Sequence, residues 1–191
     1  MTHCGGVGTG GAVKICNNML LAVTMIGTSE AMNLGIKLGL DPKLLAGIMG
    51  SATGRCWPVD TYNPCPGVFD NVPSRWGFYC QRRFQILFQN WGTSELICCN
   101  KVQGKETPAK NYQELSKFDL IFYGIVSSND YKGGFGTALM TKDLGLAQDA
   151  ATRTQAATPL GSLAHQMYRV MCNAGYAEKD FSSAFKFLKE Q

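Results

Sequence analysis

The sequence predicts an all-α domain built on one long first helix and broken by an irregular segment. Three observations carry this expectation. Apolar residues recur at helical spacing from Gly10 to Leu38, the same period returns after Phe135, and no alternation of strand and helix patterns accompanies them.

In the first helix, Ile15, Met19, Ala22, Val23 and Ile26, followed by Met32, Leu34, Ile36 and Leu38, describe a rod buried over much of its circumference. Gly27 and Gly35 weaken it, and Gly39 stands where a C-terminal cap belongs. Asp41-Pro42 opens a second helix, with aspartate as N-cap and proline at the first helical position; it runs through Leu44, Leu45 and Ile48 and stops near Gly50. Residues 51–74 hold four of the seven prolines and form turns with at most a short helix. From Phe135 to about Arg153 the helical period returns through Leu139, Met140, Leu144 and Ala147. Pro159 opens the next helix, with Leu160, Leu163, Ala164, Met167, Tyr168 and Met171 on one side and Gly175 as its C-cap. A final helix carries Phe181, Ala184, Phe185 and Leu188.

Residues 75–127 depart from this pattern. They hold ten of the twenty aromatic residues but only four of the 22 glycines, and they supply +3 of the net +4 charge. An irregular stretch of that length inside a compact domain calls for a special explanation.

Hydrophobic content of 45% with 17% charged residues describes a globular chain able to bury a core. The charge of +4 is too small and too dispersed to point to nucleic acid. No apolar run reaches the length of a membrane span, and Met19–Ile26 reads as buried helix. Neither a nucleic acid nor a membrane is therefore expected as a partner, and the N-terminus shows no targeting signal. The eight cysteines form no C-x-x-C pair, which argues against a metal site or disulfide framework and for reduced, mostly buried thiols.

Gly6-x-Gly8-x-Gly10-Gly11 opens the long helix. A dinucleotide fingerprint would need a strand before it and an acidic residue about twenty residues on, at the end of a second strand. Five residues precede Gly6 and the later stretch stays helical, so that reading is rejected. What remains is backbone at a helix N-terminus, whose free amides favour an anion such as a carboxylate.

Lys14 and Asn18 lie four apart on one helix face. A lysine in the first turns of an apolar helix can give or take a proton, as oxidation or reduction at a hydroxyl carbon requires. The plainer reading is a snorkelling lysine beside an asparagine bonded to a neighbouring turn, and spacing alone favours it. Lys142-Asp143 sits in the helix that follows Gly133-Gly134-Phe135-Gly136. The pair could contact a phosphate or ribose, or orient another catalytic lysine; spacing alone favours a solvated face. His3 and His165 have no nucleophile beside them, which gives a hydrolase little support.

The run Gly8-Thr-Gly-Gly-Ala-Val-Lys14-Ile-Cys-Asn-Asn18 resembles the G-x-G-x-x-x-K-x-x-x-N signature of β-hydroxyacid dehydrogenases. Glu30-Ala-Met-Asn-Leu-Gly, Gly54-Arg-Cys-Trp, Tyr62-Asn-Pro and Gly133-Gly-Phe-Gly-Thr-Ala-Leu-Met-Thr-Lys142-Asp-Leu-Gly are similar to the 3-hydroxyisobutyrate dehydrogenase branch. The resemblance covers about 4–74 and 128–191. It implies a helical catalytic and dimerisation domain like the C-terminal domain of 6-phosphogluconate dehydrogenase, interrupted at 75–127 by an insertion foreign to the family. With that insertion removed, Val72-Pro-Ser74 joins Ser128-Asn-Asp as the family reads, and its composition points to translated non-coding sequence.

The resemblance further implies NAD-dependent oxidation of 3-hydroxyisobutyrate to methylmalonate semialdehyde, in a homodimer of the mitochondrial matrix, within valine catabolism. Lys14 would be the catalytic acid/base, with Asn18, Gly8 and Gly10 on the substrate. Lys142 would contact the cofactor, with Phe135 and Asp143 beside it. The family's N-terminal Rossmann domain is expected to be missing from this chain, leaving it inactive alone. Two other readings stay open: a non-catalytic helical dimerisation module, and a related reductase of glyoxylate or succinic semialdehyde.

Overall fold

The computed structural model describes residues 3–69 and 126–191. Residues 75–125, most of the expected insertion, lie outside the described residues. Among those described, helices α1 (Thr9–Lys37), α2 (Pro42–Ser51) and α3 (Trp57–Asp60) come first; a 3₁₀ turn (Val126–Asn129) leads to α4 (Thr137–Thr154), α5 (Pro159–Met171) and α6 (Ala184–Lys189). No strand forms among them; one isolated bridge pairs Gly136 with Asp180. The all-α expectation holds.

The long helix ends as its sequence requires. Gly39 takes a left-handed φ of 85°, its amide bonds to Ile36 O, and the Leu40 amide bonds back to Gly35 O, both at 3.0 Å. These two bonds satisfy carbonyls that a helix end otherwise leaves open. Asp41 then caps α2, accepting from the Leu44 amide at 2.8 Å, with Pro42 at the first helical position.

By length and composition α1 is long and apolar enough to cross a membrane, with an 18-residue window of mean hydropathy 1.3. Here it is the central rod of a helical bundle, packed against α2, α3, α4, α5 and α6. Its buried face is narrower than the sequence suggests: Ala22, Met25, Ile26, Ser29 and Met32 are inside, whereas Leu34 and Leu38 are exposed. The helical period explains this, because only residues three and four apart share a face. In α5 the buried face is also narrower than expected: Ala164, Tyr168 and Met171 are buried, whereas Leu163 and Leu160, four residues before Ala164 on the same face, are exposed.

Two core clusters result. One joins Ala22, Met25, Met140, Leu144, Tyr168 and Phe181 where α1, α4 and α5 meet. The other gathers Met32, Ala46, Cys65, Val68 and Phe185 at the far end of α1. Among the five described cysteines Cys65 is buried, Cys16 is exposed and the other three are intermediate, so the described thiols are not mostly buried as expected.

Val126 and Ser127, assigned by the sequence reading to the foreign insertion, belong to the fold. Val126 is buried, and the Ser127 hydroxyl donates to Asn63 O at 3.1 Å. Asp130 follows with a left-handed φ of 49°, between the ammonium groups of Lys186 and Lys179 at 2.8 and 3.0 Å, which hold its carboxyl down at about 2. Gly175 has the left-handed φ (87°) expected of a cap, inside a π turn that continues α5.

Asp180 is completely buried, and burial pushes its carboxyl up to about 6 from 3.8 in spite of the bonds it accepts. A raised pKa means the folded chain holds a proton that the unfolded chain has already lost between those values. Stability is thus expected to rise as pH falls from 7 through 6 toward 4, by on the order of 3 kcal/mol from this group. Thermal melts of the chain and of Asp180→Asn across that range check it, the variant lacking this contribution to the slope. Asp41→Ala is expected to cost about 1 kcal/mol in denaturant titration.

Candidate functional site

Two motifs far apart in sequence meet on one carboxylate. Lys14 and Asn18 face α4 from successive turns of α1, and Asp143 faces them from the second turn of α4. Asn18 Nδ2 donates to Asp143 Oδ2 at 2.7 Å, and Lys14 Nζ lies 3.4 Å from the same oxygen. Lys142 Nζ lies 3.0 Å from Oδ1. The Asp143 side chain is 1% exposed, that of Lys14 22% and that of Lys142 58%.

A buried carboxylate is tolerated only when paired and hydrogen-bonded. Asp143 therefore has no freedom to leave the pair it holds. The solvated-face reading fails for Asp143 and survives for Lys142, whose ammonium reaches solvent. Asp143 Oδ1 accepts no hydrogen bond from the described residues and is held by the ion pair alone.

Beside this cluster an open groove of about 470 Å³ runs between α1 and α4, lined by Gly11, Lys14, Ile15, Lys142, Leu146 and Arg153, with Asp149 as its acid. Its three cations suit an anionic ligand, a carboxylate or a phosphate. Leu146, Asp149 and Arg153 were not singled out from sequence, although their steps of four, seven and eleven from Lys142 put them on one helix face.

The other expected site residues lie apart from this carboxylate. Gly8 caps α1 with a left-handed φ of 92°, and Gly10 is the second residue of the helix. Thr9 stays close, donating from its hydroxyl to Gly6 O at 2.7 Å. Phe135 is held elsewhere: its amide donates to Asp180 and its ring meets Phe181 edge-on at 6.0 Å. Asp180 was not among the site residues expected from the sequence. Among the described residues no group of three or more His, Cys, Asp or Glu is placed to hold a metal.

The class of this fold and site follows from comparison. A family model described as "NAD-binding of NADP-dependent 3-hydroxyisobutyrate dehydrogenase" matches residues 8–71 and 118–188, so that only 72–117 interrupts it. Mitochondrial 3-hydroxyisobutyrate dehydrogenase of Homo sapiens is 50% identical over all 191 residues, and that of Drosophila melanogaster 37%. An NAD-dependent L-serine dehydrogenase of Pseudomonas aeruginosa is 39% identical over 97% of the chain. The Mycobacterium tuberculosis 3-hydroxyisobutyrate dehydrogenase, solved with L-serine, superposes with a TM-score of 0.67 at 34% identity, covering 98% of this chain and 46% of that one. The chain belongs to the 3-hydroxyisobutyrate dehydrogenase family. It spans about two fifths of the length of the curated relatives it matches, 41% of the human protein and 43% of the fly protein.

Because Asn18 and Asp143 share one bond across the α1–α4 interface, their effects on stability are expected to couple. A double-mutant cycle of Asn18→Ala and Asp143→Ala should show an interaction of about 1–2 kcal/mol, and additive effects would contradict the contact.

Proposed function

We propose that this chain forms the helical half of the active site of an NAD-dependent dehydrogenase that oxidises 3-hydroxyisobutyrate to methylmalonate semialdehyde. The observation that carries it is the shared Asp143 carboxylate, which binds the lysine and asparagine of the first motif to the lysine of the second. A solvated helix surface has no use for such an arrangement.

In this reading Lys14, in its neutral amine form, takes the proton of the substrate hydroxyl and later releases it to solvent. Asp143, 3.4 Å away, stabilises the ammonium that results and holds the amine at one place over the groove. Asn18 keeps its carbonyl side for neighbouring donors because its amide is committed to Asp143. The amides at the Gly8 and Gly10 end of α1, with the helix dipole behind them, favour the substrate carboxylate. NAD, when bound, supplies the hydride acceptor. The residues present fit it on its charged side, where Lys142 is exposed and Arg153 lines the same groove. Asp143 is then a positioning group rather than a direct cofactor contact, since its side chain is buried beneath the two lysines.

L-serine is a second candidate substrate, a 3-hydroxy acid of similar size, favoured by the P. aeruginosa relative and the serine-containing M. tuberculosis structure. The mitochondrial matrix is the proposed location, after the names of the animal relatives. A homodimer joined through the helical domain is the proposed assembly.

The test joins residues 1–191 to the nucleotide-binding half of a family relative and follows NAD reduction with each hydroxy acid. Turnover is expected with 3-hydroxyisobutyrate above serine, and Lys14→Ala is expected to lower it by about 10²–10⁴-fold. Residues 1–191 alone, with no nucleotide fold among the described residues, should give none; turnover by that chain would defeat the two-half reading.

A further inference from the structure

Asp180 lies outside the groove and outside the cluster around Asp143, yet its carboxylate takes bonds from three separate stretches of chain. Oδ2 accepts from the Phe135 amide at 2.6 Å and from the Tyr62 hydroxyl at 3.0 Å. Oδ1 accepts from the Ser182 amide at 2.9 Å and the Ser182 hydroxyl at 2.5 Å. The backbone closes the same joint, with the Phe181 amide on Phe135 O and the Thr137 amide on Lys179 O, both at 2.8 Å. Gly134 takes a φ of 69° and lies so close that a Cβ there would collide with Asp180 Oδ2 and the Tyr62 hydroxyl.

A loop of three glycines and one phenylalanine has little shape of its own. Its conformation is imposed by the carboxylate it wraps. What the loop delivers is Phe135, whose ring stands edge-on to Phe181. Phe181 stacks on Tyr62 at 5.9 Å and Tyr62 on Trp57 at 4.8 Å.

We propose that Asp180 is the positioning residue for Phe135, fixing the loop that leads into α4 and tying it through Tyr62 to the aromatic stack that ends at Trp57. The proposal rests on the reading above, in which Phe135 lines the cofactor side of the site. An isosteric amide cannot do the same work. Asparagine has one acceptor oxygen; turned toward Ser182, it sets an NH₂ donor against the Phe135 amide, while the Tyr62 hydroxyl turns from donor to acceptor.

The groups facing this carboxylate are neutral. Tyr62 and Ser182 bond to it, whereas Tyr131 and Tyr168 donate to Pro64 O and Phe181 O. Lys179, the neighbour in sequence, places its ammonium on Asp130, and no ion pair reaches Asp180 among the described residues. Its titration is therefore read directly by the amides it holds.

The experiment is an NMR titration of the ¹⁵N-labelled chain through the range where Asp180 ionises, about 6. The Phe135 and Ser182 amides are expected to move together with one inflection. In Asp180→Asn both inflections vanish and the ring contacts between Phe135 and Phe181 weaken. A Phe135 amide that fails to follow Ser182, or ring contacts unchanged in the variant, would overturn the proposal. Should the variant not fold, the titration of the unaltered chain decides by itself. In the joined enzyme, Asp180→Asn is expected to raise KM for NAD about tenfold with kcat within about threefold; a fall in kcat at unchanged KM overturns it. Absence of turnover in the unaltered joined enzyme would defeat the functional reading, and the titration would still decide the role of Asp180.

Discussion

A carboxylate placed beneath two lysines and an asparagine, at 1% exposure, is the constraint on which the candidate site depends. Removing an ionised group from water is costly, and the cost is offset only while its partners stay in place. Asp143 consequently does more than join α1 to α4. It sets the rotation of both helices, because Lys14 and Asn18 must present one face and Lys142-Asp143 must straddle the rim of the groove. The geometry of the candidate site and the packing of α1 on α4 thereby rest on the same contacts.

A second buried carboxylate organises the loop that leads into α4. Among the described residues Asp180 meets no cation and is bonded by amides and hydroxyls, so burial prevails and its carboxyl is raised. Asp143 lies between cations and Asp180 among neutral donors. The two acids are built alike in burial and differ in partners, so one holds charged chemistry while the other shapes a glycine loop.

Much of the helical framework was legible from local rules. Asp41 and Pro42 start α2 because a side-chain acceptor and a pre-set φ act within one turn. Gly39 ends α1 because only a residue without Cβ enters the left-handed region cheaply. Such signals are complete within five residues of chain. The exposure of Leu160 and Leu163 was not legible, since an apolar residue is inside only if another element covers it. The packing of Val126 and Ser127 was not legible either, because their partners include Tyr62 and Asn63, across the fold.

The chain's own order of residues established an all-α domain, its helix ends, the kinship of its motifs and the pairing of Lys14 with Asn18 on one face. Those are consequences of short-range geometry and of motif spacing, and both are written linearly. That Asp143 turns inward to hold that pair, that Arg153 shares its groove, and that Asp180 grips the loop bearing Phe135 were decided only when α1, α4 and the C-terminal turn packed together. Contacts across 125 residues of chain, such as that from Asn18 to Asp143, leave no local pattern to read.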